Sequence, residues 1–309
     1  MDNKTIIGVD VGSVSTKAVL ADTAGRIVDG VYIWTAGNPI AAVRQAVGQL
    51  IDKNPSVKIV GCGTTGSARK LAGAMLDADA VKNEITAHAA GTLSQFPDAR
   101  TILEIGGQDS KIIFIEDGLV TDYAMNTLCA AGTGAFLTAQ AARLGVGIED
   151  FGTLALTATR TASIASRCAV FAESDLVHKA QIGYAKEEII AGLCHAAAQN
   201  FCNNLIKGKK TAAPIIFQGG VSKNAGVARA FESLLGHKVL VHEQGHLMGA
   251  LGAALLVKHL GVGKPFDPAI LNRPFETRAA GCSKCGNNCE LVDVYRDNSK
   301  IDTWGKRCG

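Results

Sequence analysis

Nowhere in this chain of 309 residues does an apolar run approach the roughly 18 residues that a membrane-spanning helix requires. The opening "MDNKTIIGVD" carries an early acid and only a short apolar stretch, so neither a signal peptide nor an anchor is visible there and the cytoplasm is the expected location. Charge of one sign is also lacking, with 31 Lys and Arg against 28 Asp and Glu, and aromatics supply only 5% of residues. A net charge of +3 sets up no basic field, and so few rings leave few stacking platforms, so neither nucleic acid nor membrane is an expected partner. No GxxxxGK[ST] stretch occurs, which excludes a Walker-type phosphate loop. What is present is a globular composition, 47% hydrophobic and 19% charged, long enough for two domains sharing an interface. The nine cysteines are an odd number, and in a reducing compartment thiols are more often buried, catalytic or metal-bound than paired.

Alternating strand and helix patterns imply an α/β protein. "TIIGVDVGSVSTKAVLADTAGRIV" reads as strand, Gly/Ser turn, strand, turn, strand, and "TILEIGGQDSKIIFIEDGLVTDY" from Thr101 repeats that order, which suggests two related domains facing each other. Helical periodicity fits "NPIAAVRQAVGQLIDK", "GAFLTAQAARLG", "KEEIIAGLCHAAAQNFCNNLIKG" and "LMGALGAALLVKHLG". Beyond Gly263, closely spaced prolines and four of the nine cysteines mark an appended tail.

Three turns carry phosphate chemistry. The first, Asp10 to Lys17, places a carboxylate, Gly12 and the hydroxyls of Ser13, Ser15 and Thr16 at a hairpin, where backbone N–H groups approach an anion and the acid can hold magnesium through water. The second is Gly106-Gly107-Gln108-Asp109-Ser110-Lys111 on the repeated unit, and the third is Gly219-Gly220 in "IIFQGGVSKNAGVARAF", where a strand gives way to a helix and backbone can lie against a purine. A competing fingerprint, Gly61-Cys62-Gly63-Thr64-Thr65-Gly66, spells a dinucleotide loop after a strand, with Cys62 a small residue at a tight turn.

Together these turns resemble the actin and sugar-kinase superfamily of ATP-binding folds. More narrowly, "GVDVGSVSTKAV", "EIGGQDSK", "NTLCAAGTGAFL", "GGVSKN" and "GALGAALL" resemble the BadF/BcrA-type ATPases, specifically the homodimeric activators of 2-hydroxyacyl-CoA dehydratases, over residues 5–257. The resemblance implies two actin-like domains, the first from residues 1–95 and 236–262 and the second from 96–235, followed by a Cys-rich tail over 263–309. It implies ATP or ADP with Mg2+. Asp10, Asp109 and Gln108 then order magnesium and water, and Gly12, Ser13, Ser15, Thr16, Lys17, Gly106, Gly107, Lys111, Gly132 and Thr133 lie around the phosphates. Gly219, Gly220 and Lys223 fall on the adenosine, with Gln244 on the adenine side. The chain departs from the family pattern at Glu104, where an Asp is usual, and at Glu243-Gln244-Gly245-His246, where a Pro-Gln pair is usual.

Cys129, ahead of Gly132-Thr133-Gly134, has no histidine near it in sequence, so a nucleophilic role needs His88 or His178 to approach in space, and a core thiol is the plain alternative. By the resemblance, Cys129 and Cys168 are ligands of a 4Fe–4S cluster. Two thiolates per chain complete a cubane only if a homodimer shares it. The resemblance further implies ferredoxin or flavodoxin as electron source and a dehydratase as partner, with a double-cubane or benzoyl-CoA reductase-like partner, or a small-molecule kinase, as rivals. Cys194 and Cys202 read as helix packing. In the tail, Cys282, Cys285, Cys289 and Cys308 are spaced for metal, either zinc or a second iron–sulfur cluster.

Overall fold

The computed structural model describes residues 4–126 and 129–307. Strands β1 (Lys4–Val11), β2 (Ser15–Asp22) and β3 (Ile27–Trp34) are followed by α1 (Pro39–Lys53), β4 (Lys58–Thr65), α2 (Arg69–Leu76) and β5 (Ala80–Val81). They form a sheet of order β3-β2-β1-β4-β5, antiparallel through the two hairpins and parallel from β1 to β5. After α3 (Glu84–Gln95) the pattern recurs with β6 (Thr101–Ile105), β7 (Ser110–Glu116) and β8 (Leu119–Asn126). Next come the helices α4 (Gly134–Arg143), α5 (Ile148–Thr157), α6 (Ala169–Gln181) and α7 (Lys186–Phe201). The unit then closes with β9 (Ile215–Gln218), α8 (Ala225–Leu235) and β10 (Val239–Val241). The second sheet, β10-β9-β6-β7-β8, has the same mixture of antiparallel hairpins and parallel additions, so the repeat in the sequence is a repeat in the fold.

Side-chain alternation decides which helices cover each face. In β1, Ile7, Val9 and Val11 join α1 and α2 in one core, while Ile6 turns to the opposite face and packs on α9 (Met248–Leu260). In β6, Leu103 and Ile105 meet α4, α5, α7 and α8, while Ile102 meets Ile85 and Ala89 of α3. Helix α9 is apolar nearly all round because it is enclosed, by the first sheet on one side and α3 on the other. Its approach to α3 is close enough that a Cβ on Gly252 would fall 1.7 Å from the Ala87 carbonyl oxygen, and one on Gly91 would fall 2.1 Å from that of Met248.

The structure redraws three expectations. Residues 236–241 go with the second sheet, because Val239–Val241 pairs with Ile215–Phe217, and α3 packs on that sheet although the sequence places it at the end of the first unit. The dinucleotide fingerprint is no turn: Gly61, Cys62 and Gly63 lie inside β4, with Gly63 against the Ala253 carbonyl and the buried Cys62 donating its N–H to Asp79. The tail is an antiparallel sheet of β11 (Phe275–Gly281), β12 (Glu290–Arg296) and β13 (Ser299–Trp304). Phe266, Leu271 and Phe275 seat it on the core beneath α1 and α2, and the Arg296 guanidinium donates to the Ala74 carbonyl. Among the described residues no helix is long and apolar enough to cross a membrane.

Replacing Gly252 with Ala forces α3 and α9 apart at a backbone contact. The expected cost is about 1–3 kcal/mol, read as a lowered midpoint in thermal denaturation with the secondary structure otherwise retained.

Candidate nucleotide site

The two hairpin turns are closed by the same bond. Gly12 donates its N–H to Ser15 O at 3.0 Å, and Gly106 donates to Asp109 O at 3.0 Å. They face each other across the domains in contact, since a Cβ on Gly107 would lie 2.5 Å from Cβ of Val14. Within the first turn Ser13 is exposed and Ser15 buried, and the Thr16 hydroxyl is engaged with Thr35 at 2.9 Å. In the second, Gln108 is exposed. Buried hydroxyls without a hydrogen-bond partner stand beside both turns: Thr65, opposite Asp10 in the sheet register, and Ser110, at the start of β7. Unmet polar groups of this kind suit a polar ligand.

Charge at the site is held by two lysines. Lys17 lies 3.2 Å from Asp10. Burial disfavours the Asp10 carboxylate, but Lys17, with His88 and Lys111 behind it, more than offsets this and holds its pKa below the ordinary value. Lys111 is deeply buried, donates to Glu104 at 3.0 Å and to Asp109 at 2.9 Å, and forms an ion pair with Glu84 at 3.0 Å. Three carboxylates around one ammonium keep Lys111 charged against the cost of burial. Burial pushes the Glu104 pKa up, with Lys111 opposing. Lys111 occupies the centre of this acidic group, and among the described residues no three His, Cys, Asp or Glu side chains are arranged as a metal cage.

The third turn closes the site. Gly219 donates to Gly245 O at 3.2 Å, and Ser222 Oγ donates to Gly219 O at 2.8 Å. Beside it a cavity of about 900 Å³ is lined by Ser222, Lys223, Arg229, His242 and Glu243, while Gln244 lies outside that lining. A wider groove of about 1080 Å³ runs along α3, β8 and the end of α9, and none of the Gly turns lines it.

A polar relay that sequence reasoning missed joins α3 to β9. Thr92 donates to Gln218 Oε1 at 2.6 Å, and Gln218 Nε2 lies 2.9 Å from His88 Nδ1. Since the amide nitrogen can only donate, Nδ1 accepts and the neutral ring carries its proton on Nε2. Burial, with Lys111 adding to it, pushes the His88 pKa down to about 4. The signal was available as a lone polar residue ending the apolar run "IIFQ", matched by a lone histidine in "ITAHAAGTL". His88 is thereby committed to Gln218 and serves no base role at Cys129.

The segments that carry Cys129 and Cys168 lie against one another. Both cysteines stand immediately before helical segments and both are half-buried. The Cys129 thiol lies 3.4 Å from the Arg167 carbonyl, one residue before Cys168. Asn200 Nδ2 reaches Cys129 Sγ at 3.4 Å and Ser166 O at 2.6 Å, so one amide on α7 ties the two cysteine segments together. Gly132 packs on Asn200, and the Thr133 hydroxyl caps α4 at Phe136. Burial pushes the thiols of Cys194 and Cys202 up to about 12 and about 11, and raises that of Cys62 as well, as befits inert core thiols. In the tail, Cys289 is buried, Cys282 half-buried and Cys285 exposed, and Cys308 lies outside the described residues.

Two duplicated sheets with facing Gly turns define an actin-like ATPase fold. Residues 7–257 match the BadF/BadG/BcrA/BcrD ATPase family, and the chain belongs to it. It is 36% identical over 252 residues to the activator of lactoyl-CoA dehydratase from Anaerotignum propionicum, covering 81% of this chain and 95% of that one. The activator of the 2-hydroxyisocaproyl-CoA dehydratase from Clostridium difficile, solved with bound ADPNP, superposes with a TM-score of 0.76 at 30% identity, covering 82% of this chain and 93% of that one. Component A of the (R)-2-hydroxyglutaryl-CoA dehydratase from Acidaminococcus fermentans gives a TM-score of 0.75 at 32% identity, over 82% of this chain and 96% of that one.

Replacing Asp10 or Asp109 with Ala is expected to lower steady-state ATP hydrolysis roughly hundredfold, measured as phosphate release. The His88 pair sets a pH window. The unfolded chain takes up this proton near the ordinary histidine value of 6.5 and the folded chain only near 4. The stability His88 contributes is therefore complete above about 6.5 and is lost as pH falls towards 4. Urea unfolding of His88→Gln should show a shallower fall in stability than the parent between these limits.

Proposed function

We propose that the chain is an ATP-driven one-electron donor that activates a partner enzyme of the 2-hydroxyacyl-CoA dehydratase type, as the activator relatives do for theirs. Nucleotide lies between the facing turns, with Asp10 and Asp109 positioning magnesium and water and Gln108 beside the attacking water. Gly219 and Gly220 lie along the adenosine, with Lys223 and Glu243 at the mouth of the adjoining cavity. Magnesium bound through phosphates, waters and one or two carboxylates needs no cage made wholly of protein. That fits an acidic group centred on Lys111.

Cys129 and Cys168 fit half of a 4Fe–4S ligand set. They are two accessible thiols on adjoining segments, one already accepting an amide N–H from Asn200. In this reading a second copy supplies the other two ligands, and the cluster supplies low-potential one-electron chemistry when bound. Ferredoxin or flavodoxin fits as the electron source, and a reductase of the benzoyl-CoA or double-cubane type is the alternative partner.

The observation that carries the reading is a direct backbone link between the nucleotide turn and the cysteine segment. Gly134 and Ala135, the first residues of α4 after the Cys129 loop, donate to the carbonyls of Gly106 and Gly107, each at 2.9 Å. A change at the second phosphate turn therefore reaches the Cys129 loop through two hydrogen bonds, and Asn200 passes it on to the Cys168 side.

Cys129→Ser, purified without oxygen, is expected to lose roughly four irons per dimer and to dimerise less tightly, while still binding ADP. Iron content measured with mass in solution checks this. A metal-free parent protein that phosphorylated a small molecule would point instead to a kinase.

A further inference from the structure

Helix α6 is held to its domain by little apolar contact. Of its 13 residues only Ala172 and Leu176 are buried in the core that α4, α5, α7 and α8 share, while Val170, Phe171 and Val177 stand exposed. Cys168 immediately precedes the helix and its carbonyl accepts the Ala172 N–H at 3.0 Å, so wherever α6 goes Cys168 goes with it. So small an apolar contact leaves polar groups to fix where the helix sits. The Asp175 carboxylate takes the Ala165 N–H at 2.7 Å, which ties α6 only to its own leading segment.

The tie to another helix comes from α4. Gln140 Nε2 donates to Glu173 Oε1 at 3.0 Å, and the Arg143 guanidinium pairs with Glu173 Oε2 at 3.2 Å, so two residues a turn apart on α4 hold both oxygens of one carboxylate on α6. The Arg143 pair is exposed and weak by itself. Gln140 is different. The buried face of α4 consists of Phe136, Leu137, Gln140 and Ala141, and Gln140 is its one polar member, fully enclosed and with Oε1 lacking a hydrogen-bond partner. A half-met amide among apolar side chains is costly, so packing alone does not account for it, and the bond to Glu173 does. Roughly two turns earlier, at the start of the same helix, Gly134 and Ala135 donate to the carbonyls of Gly106 and Gly107 in the second phosphate turn.

We propose that Gln140 is a positioning residue: through Glu173 it makes α4 a rigid lever between the second phosphate turn and α6, so that the nucleotide state of that turn sets where Cys168 stands. The proposal rests on the reading that nucleotide binds between the facing turns. A short helix packed in a dense interior passes on a displacement instead of absorbing it, and α6, with two buried side chains, is the element free to follow. The Asn200 bonds join the two cysteine segments to each other. The Gln140 bond is separate from them and engages α6 itself.

Hydrogen–deuterium exchange over α4 and α6 of the full chain, without nucleotide and with saturating ADP and magnesium, tests this in the parent, Gln140→Leu, Glu173→Ala and Glu173→Gln, with ADP affinity measured on each by calorimetry. In the parent, ADP should change exchange in α6 by about fivefold or more, the lower end of usual coupling between sites. Gln140→Leu, close in volume, should bind ADP as the parent does and keep the change at the first turn of α4 but lose it in α6. Glu173→Ala, at a partly exposed position that tests the same bond if the core variant fails to fold, should do likewise. Glu173→Gln, whose carbonyl still accepts from Gln140, should keep the response. A parental α6 response in Gln140→Leu or Glu173→Ala, or its loss in Glu173→Gln, which would assign it to Arg143, overturns the role of Gln140. A parent that binds ADP with α6 unchanged refutes the lever alone, whereas a parent that binds no ADP refutes the nucleotide reading and the lever with it.

Discussion

Two domains meet here through a pair of helices whose backbones touch. Helix α9 belongs by packing to the first sheet and α3 to the second, and Gly252 and Gly91 let each helix lie against the other's carbonyls. Everything at the nucleotide site depends on this contact, because it fixes how far apart the two hairpin turns stand. The turns meet at Val14 and Gly107, and there too a side chain on the glycine would hold them off.

Along the same seam run the buried polar groups. Glu84 of α3 reaches Lys111 on β7, and Thr92 and His88 of α3 reach Gln218 at the end of β9. Inside a protein such groups are costly unless each is satisfied, and satisfied they admit few alternative arrangements. The seam is thus specified twice, by shape between glycines and by charge and hydrogen bonds. Lys17 and Lys111 serve the two turns in parallel ways, Lys17 neutralising Asp10 and Lys111 neutralising Glu104 and Asp109, acids that would otherwise repel a phosphate brought between them.

The duplicated strand order was legible because hairpins leave strong local marks: alternating apolar residues, Gly-rich turns and an Asp-Gly pair. The cysteine segments and the three turns could be marked in sequence for the same reason. What stayed hidden depended on distant partners. That Lys111 is claimed by Glu84 and Glu104 follows from the packing of α3 on β6 and β7, which no local pattern records. The Gly61 to Gly66 run has the spelling of a phosphate loop, yet Gly61 and Gly63 lie within β4 because α9, nearly two hundred residues later, packs where side chains would stand. The tail's three short strands are mostly exposed, so they leave little apolar alternation in the sequence to mark them.

The first domain is assembled from both ends of the matched region, with the second inserted between β5 and α9. On a ribosome its sheet is complete once Val81 emerges, but the face that will hold α9 stays uncovered until Leu260 has been made. At the usual rate of synthesis that interval is on the order of ten seconds. Meanwhile the second sheet, contiguous from Thr101 to Val241, can close on its own helices, with α3 already beside it. The helix that finishes the first domain therefore docks against a second domain that is already built, and the seam between the two forms last.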